Sequence, residues 1–329
     1  MPLSSTTIQE LREQFPQVTF KENYPLGEHT YFKLGGSAQV FCELKRESVL
    51  IAVVAYCSSH QIPSVLLGGG SNCIVPDEGI AGLVIAVKND TFELVDQGEN
   101  AEDSQKMLVE VGAGLRTALL VSKTVDHGLT GLEFFLGVPG SVGGAVFNNA
   151  HYLTDLVSEH IESVVVLSPA GDVRRLAVSD CDFGYDTSRF QTSGEVILRT
   201  RFLLARGDRE SSQAKIKQAT LYRAQTQPLG LPSSGCIFQN VANTDSLRAL
   251  FPQFAEKALV PGGFLIDQAG LKLAREGDIE VSQKHAAFFV NRGKGTAAQV
   301  VTLIQRVKRV VREKFGVELK EEVFWLQPK

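Results

Sequence analysis

The 329-residue sequence lacks both a long hydrophobic run and a block of like charges. Its longest apolar run, residues 49–57, is about half of the ~20 residues that a transmembrane helix needs. The N-terminal segment has neither the basic nor the apolar region of a secretion signal. Its 33 basic and 37 acidic residues are interspersed, so no basic surface for nucleic acid is predicted. These absences predict a cytoplasmic protein that binds neither membranes nor nucleic acids.

Cysteine and histidine also lack the patterns of a covalent or metal framework. The five cysteines are odd in number and form no CxxC pair. Without an export signal, we expect free thiols in a reducing compartment. No histidine shows the spacing of a metal-binding motif, so no metal site is predicted.

The patterns that are present predict a mixed α/β chain of ordinary globular composition. Near the N-terminus, Thr7 and Glu10 suit a capping box of a short amphipathic helix. Val300, Ile304, Val307 and Val311 form the apolar stripe of a long helix near the C-terminus. Further helices are predicted over 47–60, 115–126, 209–225 and 296–315, and strands over 39–44, 64–67, 81–87, 92–95, 107–111, 164–167, 173–176, 196–205 and 317–326.

Two glycine-rich segments, residues 66–72 and 131–150, stand out. Glycine lets the backbone approach a ligand closely and turn successive N–H groups toward it, which suits a pyrophosphate. Tight turns between strands are the simpler interpretation of a lone glycine triplet. A Rossmann site is excluded because Gly70 leads into extended chain that stops at Pro76, where a helix should begin. A dinucleotide held by loops alone remains possible.

Eight blocks, in order along the chain, carry a resemblance to a known family. The sequence resembles the UDP-N-acetylenolpyruvoylglucosamine reductase (MurB) family from about residue 20 to the end. The matching blocks are residues 29–38, 65–72, 131–150, 183–191, 232–240, 264–272, 281–291 and 315–323. The resemblance implies an α+β chain, with an FAD-binding fold of the vanillyl-alcohol-oxidase type (two α/β subdomains) plus a mixed α/β substrate domain.

The resemblance also implies the division of the chain. We expect an N-terminal helix over 1–20, the FAD-binding domain over 21–207, the substrate-binding domain over 208–315 and a strand over 316–329 that returns to the active site. The two FAD-binding subdomains are expected over about 21–80 and 81–207. The short segment between Phe190 and Pro228 resembles the branch of the family that lacks a tyrosine-bearing lid loop.

The implied activity is reduction of UDP-N-acetylglucosamine enolpyruvate in peptidoglycan synthesis, with non-covalent FAD, NADPH as co-substrate and a monomeric enzyme. Two alternatives are another FAD oxidoreductase of the same superfamily and a catalytically silent flavin-binding homologue. The residues that match the family's cofactor-binding blocks are Tyr31, Leu67, Gly68, Gly69, Gly70, Ser71, Asn72, Gly137, Val138, Pro139, Gly140, Ser141, Gly143, Gly144 and Ala145.

Two residues match the family's catalytic acids. Cys236 stands at the proton-donor position, which is serine in most of the family; the alternative is a small buried thiol in a strand. A thiol, with a pKa of ~8.5, is a better acid than a hydroxyl group. Glu322 matches the glutamate of the family's L-x-x-E-V block, and apolar neighbours on one strand face should raise its pKa. From pattern alone, a charge on an exposed edge strand is the alternative.

Asp186 departs from the family, because it stands where the family has an arginine. A carboxylate there should repel the carboxylate of the substrate unless a nearby cation compensates. Arg189 is the first candidate for that cation and Arg223 the second, with Arg199 and Arg201 also possible. The remaining matches to substrate-contacting positions are Tyr185, Ser188, Arg223, Gln227 and Asn240, while Lys272 and His285 could be either contacts or packing groups.

Overall fold

A computed structural model describes residues 2–95 and 105–328 of the chain. The first helix begins at Ser5, and its cap is Ser4, which accepts a hydrogen bond from the N–H of Thr7; the predicted capping box of Thr7 and Glu10 is wrong. The α-helices of the described part are Ser5–Gln14, Glu47–Ser59, Thr117–Asp126, Val142–Phe147, Phe190–Ser193, Arg209–Thr226, Asp245–Leu250, Gly262–Gln268 and Ala297–Phe315.

The first sheet holds four strands in the order Lys21–Pro25, Ser37–Leu44, Ile80–Val87, Ser64–Leu67. The last three run parallel, and helix Glu47–Ser59 supplies the crossover that a parallel pair requires. Strand Ile80–Val87 is apolar and buried along nearly its whole length, as expected of a strand covered on both faces. Because it pairs in this sheet, the division expected at 80/81 moves to a point after Val87.

The second sheet is antiparallel and gathers strands from residues 92 to 206. Its long central strand, Val196–Arg206, pairs with Ile161–Leu167 on one side and Lys106–Gly112 on the other. Strands Ile161–Leu167 and Val173–Ala177, both predicted from the sequence, form a hairpin with a turn at Gly171, where φ is +93°. The edges are Phe92–Val95 and Val173–Ala177, and the two-residue strand Leu129–Thr130 pairs with the end of the central strand.

The C-terminal part contains short strands and one long helix. Helix Ala297–Phe315 buries the predicted stripe of Val300, Ile304, Val307 and Val311, which confirms that prediction. The helix ends at Gly316 with a φ of +68°, a conformation that favours glycine. The remaining strands are Arg275–Glu276, Ile279–Val281 and Phe289–Asn291 in one sheet, and the pairs Val241–Ala242 with Leu259–Val260 and His151–Tyr152 with Asp155–Leu156.

The final segment differs from its prediction. Residues 317–326 were predicted as one strand, but only Phe324–Trp325 forms a strand, parallel to Cys73–Ile74. The segment changes partner along its length: Glu322 N–H donates to Ile237 O at 2.8 Å, and Phe324 N–H donates to Asn72 O at 3.2 Å. A chain that leaves one neighbour for another cannot keep a single ladder.

Three clusters of buried apolar side chains make up the core. The largest lies between the two sheets and includes Val40, Leu50 and Val111. A second fills the C-terminal part around helix Ala297–Phe315, and a third packs Leu326 against the first sheet. Among the described helices, none is both long and apolar enough to span a bilayer.

Candidate active site

The two glycine-rich loops lie directly against each other. Ser71 Oγ donates a hydrogen bond to the carbonyl oxygen of Pro139 at 2.9 Å. A Cβ atom added to Gly69 would lie 2.3 Å from the Cα of Gly140, and one added to Gly140 would lie 2.5 Å from Ser71 Oγ. Real Cβ atoms do not approach other atoms so closely. Glycine is therefore required here so that the two loops can touch.

A row of backbone N–H groups lines these loops. In residues 2–95 and 105–328, the N–H groups of Gly68 to Asn72 donate to no protein acceptor, and the same holds for Gly140 and Ser141. These residues are buried or half-buried, where a backbone donor normally has a partner. Successive N–H groups of this kind form an anion-binding concavity. The loops therefore fit the pyrophosphate of FAD.

The other residues predicted to bind FAD differ in what they offer. Gly143 and Gly144 lie in helix Val142–Phe147, where a loop was predicted, and their N–H groups are already used. Gly143 donates to Ala113 O at 2.8 Å, and Gly144 faces Ser141 Oγ at 3.4 Å.

Contacts of the remaining matched residues are likewise within the protein. Tyr31, about 40% exposed, donates its N–H to Gly70 O at 2.9 Å. Gly137 lies under Arg223, and the N–H groups of Val138 and Ala145 donate to Phe135 O and Ser141 O. Leu67 is buried at the end of its strand. FAD contact through these residues stays a prediction.

The two predicted acids, Cys236 and Glu322, are held side by side. Glu322 donates its N–H to the carbonyl of Ile237 at 2.8 Å, and Ile237 donates its own to Ala287 O at 2.8 Å. Cys236 itself forms an isolated antiparallel bridge with Phe288. The backbone pairing of three separate segments thus brings these two side chains into one site.

The pKa values of both acids are raised. Burial raises the pKa of Cys236 well above its ordinary value, the charges of Glu322 and Asp186 raise it further, and Arg223 partly offsets them. Burial, followed by the charge of Asp186, raises the pKa of Glu322 well above its usual range. The sequence led us to expect a thiol with a pKa near ~8.5, close to the working pH. Because the pKa of Cys236 is raised, this expectation is wrong.

Asp186 is buried and sits in a tight turn. Gly184 and Thr187 exchange backbone hydrogen bonds across it, and Asp186 has a φ of +52°, which aspartate tolerates better than most residues. One carboxylate oxygen lies 3.1 Å from Nδ1 of His151, and the other is buried without a protein partner in the described residues. Asp186, which stands where the family has an arginine, is thus part of a histidine–carboxylate pair.

The four candidate arginines are not equivalent. Arg189, the first candidate for the compensating cation, is held by Glu195 at 2.9 and 3.2 Å and by Asp180 O at 2.7 Å, so its guanidinium group is already paired within the protein. Arg199 and Arg201 pair with Glu110.

Arg223 is the arginine whose charge reaches Cys236. It is buried, donates to Gly137 O at 2.9 Å and to Gln227 Oε1 at 3.3 Å, and stacks 5.0 Å from the ring of Tyr152. Its Nε is buried and, in the described part of the chain, has no hydrogen-bond partner. An unpaired guanidinium donor near Cys236 fits an anionic substrate group.

Four other residues were predicted to contact the substrate: Tyr185, Ser188, Gln227 and Asn240. Burial raises the pKa of Tyr185, and Asp186 and Glu322 add to the effect. The hydroxyl group of Ser188 donates a hydrogen bond to Phe147 O at 2.6 Å, so this donor already has a partner within the protein. Asn240 accepts from the N–H of Gly262 at 3.2 Å, and Gln227 accepts from Arg223.

Lys272 and His285, left open by the sequence, lie near each other. Lys272 pairs with Asp267 at 2.6 Å and is partly exposed. Burial lowers the pKa of His285, and Lys272 lowers it further; its Nδ1 is buried without a partner among the described residues. Neither residue is among the groups that shift the pKa of Cys236 or of Glu322.

Sequence reasoning missed His151 and Tyr152 as site residues. Both directly follow the glycine-rich segment 131–150, which is the only signal in the sequence. Tyr152 contacts Arg223 and lies parallel to Phe134 at 5.4 Å between ring centroids. His151 meets Asp186 across 35 residues of chain, a contact that periodicity cannot reveal.

Comparison with known proteins decides the family. The model of the "UDP-N-acetylenolpyruvoylglucosamine reductase, C-terminal domain" matches residues 227–326, and an "FAD binding domain" model matches 38–177. A UDP-N-acetylenolpyruvoylglucosamine reductase of Lachnoclostridium phytofermentans is 35% identical over 322 residues, which are 98% of this chain and 97% of that protein. The chain belongs to the UDP-N-acetylenolpyruvoylglucosamine reductase family.

Two further relatives agree with this family assignment. The reductase of Staphylococcus saprophyticus is 36% identical over 96% of this chain and 94% of its own length. The crystal structure of the MurB enzyme from Thermus caldophilus matches with a TM-score of 0.71 and 29% identity, over 94% of this chain and 98% of that one. The predicted family and FAD-binding fold are confirmed.

Proposed function

We propose that this chain reduces UDP-N-acetylglucosamine enolpyruvate to UDP-N-acetylmuramate in peptidoglycan synthesis, with NADPH as the electron donor. Membership of the reductase family supports the reaction, and the FAD-binding match supports the cofactor. The single observation that carries the proposal is the pairing of two buried acids with raised pKa values, Cys236 and Glu322, within a chain that also presents a row of free N–H groups.

The reaction needs a hydride, a proton and a way to accommodate negative charge on the substrate. When bound, FAD accepts a hydride from NADPH and supplies it to the enolpyruvyl double bond. In this proposal Cys236 donates the proton. A raised pKa keeps the thiol protonated until a strongly basic carbon appears beside it. Arg223 then stabilises the thiolate that the transfer leaves behind.

Glu322 has a different part in the proposal. Burial and the charge of Asp186 favour the neutral form of its carboxyl group, which can donate a hydrogen bond to the oxygen on which negative charge develops. An ionised glutamate in the same place would repel that charge. The charge of Asp186 helps to keep Glu322 neutral. In this proposal Glu322 contributes to the reaction directly, and Asp186 contributes by raising the pKa of Glu322.

The finer parts of the proposal rest on the family resemblance. They are a monomeric enzyme, a cytoplasmic location, a part in cell shape and division, and a division into FAD-binding and substrate-binding domains at about residue 207. Tyr185, Asn240 and Gln227 are proposed to contact the nucleotide sugar, since they lie around the same acids or around Arg223.

Anaerobic mixing of the FAD-loaded protein with NADPH, and then with the enolpyruvyl nucleotide, tests the proposal. We expect bleaching of the flavin absorbance in the first step and its return in the second, with UDP-N-acetylmuramate as product. Cys236→Ala should leave the first step unchanged and slow the second by several orders of magnitude, whereas Cys236→Ser should retain part of the rate. Cys57→Ala, which removes a buried thiol in the core, is the matched control.

The two alternatives give different results in this experiment. A catalytically silent homologue would be reduced by NADPH but would not be reoxidised by the substrate. Another oxidoreductase of the superfamily would not make UDP-N-acetylmuramate. Parent-like turnover in Cys236→Ala would show that the proton comes from a different group.

A further inference from the structure

His151 and Asp186 form a pair beside the two acids of the site. The Nδ1 atom of His151 lies 3.1 Å from Oδ1 of Asp186. The Asp186 side chain is only 1% exposed, while that of His151 is 22% exposed. An ionised carboxylate can only accept hydrogen bonds, so Nδ1 carries a proton and acts as the donor. The ring of Tyr185, centred 4.9 Å from that of His151, limits its rotation.

The other ring nitrogen of His151 is available for a ligand. Among residues 2–95 and 105–328, Nε2 of His151 has no hydrogen-bond partner. A histidine that is held through Nδ1 by a buried carboxylate presents Nε2 in a fixed direction. Such an arrangement orients a ligand-binding imidazole. It would serve no purpose for a side chain that merely faces solvent.

The groups packed around the pair do not balance the negative charge of Asp186. Three titratable groups face Asp186 from the packed elements: Tyr185 in its own turn, Cys236, and Glu322 in the final segment. Burial raises the pKa of each of them, and Arg223, in helix Arg209–Thr226, acts on Cys236. Within the described chain, His151 is the basic group that contacts Asp186.

We propose that His151, held in place by Asp186, binds the carboxylate of the enolpyruvyl substrate through an N–H at Nε2. Asp186 is then a positioning residue, because its carboxylate holds Nδ1 of His151. The pair supplies, at residue 151, the substrate contact whose absence at residue 186 the sequence raised as a problem. This inference rests on the proposed function, since it names the group that would recognise the acidic part of that substrate.

Ligand binding to the oxidised, FAD-loaded enzyme tests the inference without requiring turnover. The probes are the enolpyruvyl nucleotide and UDP-N-acetylglucosamine, which has the same nucleotide sugar but no carboxylate. His151→Gln should weaken binding of the first probe by roughly tenfold to a hundredfold and leave binding of the second unchanged. Asp186→Asn, which also tolerates the positive φ of this turn, should give the same pattern with a smaller change.

His160→Gln is the matched control. His160 and Asp155 form a second histidine–carboxylate pair at 3.0 Å. The two histidines are similarly exposed (20% and 22%), while Asp155 is more exposed than Asp186 (26% against 1%). His160 is not among the groups that shift the pKa of Cys236 or Glu322. This control should leave both affinities unchanged. In addition, His151→Gln should raise KM for the enolpyruvyl nucleotide while the rate of flavin reduction by NADPH stays as in the parent.

Two results would overturn the inference. One is parent-like affinity of His151→Gln for the enolpyruvyl nucleotide. The other is an equal loss of affinity for both probes, which would point to a general distortion of the site. A parent enzyme that binds the enolpyruvyl nucleotide through His151 but never reduces it would contradict the proposed function alone.

Discussion

The carboxylate of Asp77 accepts a hydrogen bond from the N–H of Ala297 at 2.7 Å, across 220 residues of sequence. Its second oxygen accepts from the N–H of Ala298 at 2.9 Å. Thr296 Oγ1 accepts from the next N–H, that of Gln299. The free donors at the start of helix Ala297–Phe315 are thus shared between the cap residue and a loop of the FAD-binding region. This contact joins the two halves of the chain.

Substitution of Asp77 by alanine should therefore destabilise the protein. We expect a loss of about 1 kcal/mol in the free energy of unfolding, the usual effect of removing a helix cap. Glu78→Ala is the control, since Glu78 is an exposed neighbour with no hydrogen bond to that helix. Urea denaturation of both variants measures the difference. Equal stability of the two would show that the contact contributes nothing.

Stability should depend on Glu133 below neutral pH. Burial alone would raise the pKa of this carboxyl group, but hydrogen bonds from Thr130, Ser212 and Gly131 outweigh burial and hold it at about 2. A folded-state pKa below the unfolded value stabilises the fold above about pH 4.5, and this contribution is lost as the pH falls toward 2. In Glu133→Gln the difference in stability between pH 6 and pH 3 should be smaller than in the parent.

Thermal unfolding of both proteins at several pH values checks this expectation. A substitution at Glu318, an exposed acid paired with Arg312, provides the control and should leave the pH dependence intact. Identical pH profiles for Glu133→Gln and the parent would exclude the proposed linkage.

Gly69→Ala should reduce the amount of FAD that copurifies with the protein. The added methyl group would meet the Gly140 backbone, so the two loops would have to separate. The clash therefore lies between the loops themselves. Gly27→Ala is the control, because its Cβ would meet only ordinary contacts at 3.6 Å. Full flavin content in Gly69→Ala, measured by absorbance after acid release, would remove the support for this site.

Arg223 and Arg189 should respond differently to substitution by glutamine. Loss of Arg223 removes the cation beside Cys236, so kcat/KM should fall roughly tenfold to a hundredfold. Loss of Arg189 breaks its ion pair with Glu195 and should lower stability with little change in kcat/KM. Steady-state kinetics and urea denaturation of both variants separate the two effects. The opposite pattern would restore Arg189 as the compensating cation.

Local patterns predicted most of the helices and strands. The stripe of Val300, Ile304, Val307 and Val311 follows from helical periodicity, and each of these side chains is buried. Strand Ser64–Leu67 lies where its apolar run predicts it. Such patterns act within one element, so the sequence is sufficient to reveal them.

Contacts between distant segments were not predictable in the same way. The pairing of His151 with Asp186 depends on how the turn around Gly184 packs against Asn149, whose side chain donates to Gly184 O at 2.8 Å. Likewise, the strand predicted over 317–326 satisfied a local alternation but ignored the change of partner from Ile237 to Asn72. The pKa of Cys236 likewise depends on its burial and on Glu322, Asp186 and Arg223, which are distant in sequence. Its raised pKa could therefore not be predicted from its neighbours in the sequence.

The parallel pairing of Cys73–Ile74 with Phe324–Trp325 also bears on the order in which the protein matures. Asn72, the last residue of the first glycine loop, donates its side-chain amide to Glu322 O, 250 residues further along. During translation, this loop therefore emerges long before the strand that holds it in place. We expect a nascent chain that ends before Glu322 to be unable to retain flavin, since it lacks both of these contacts with the first glycine loop.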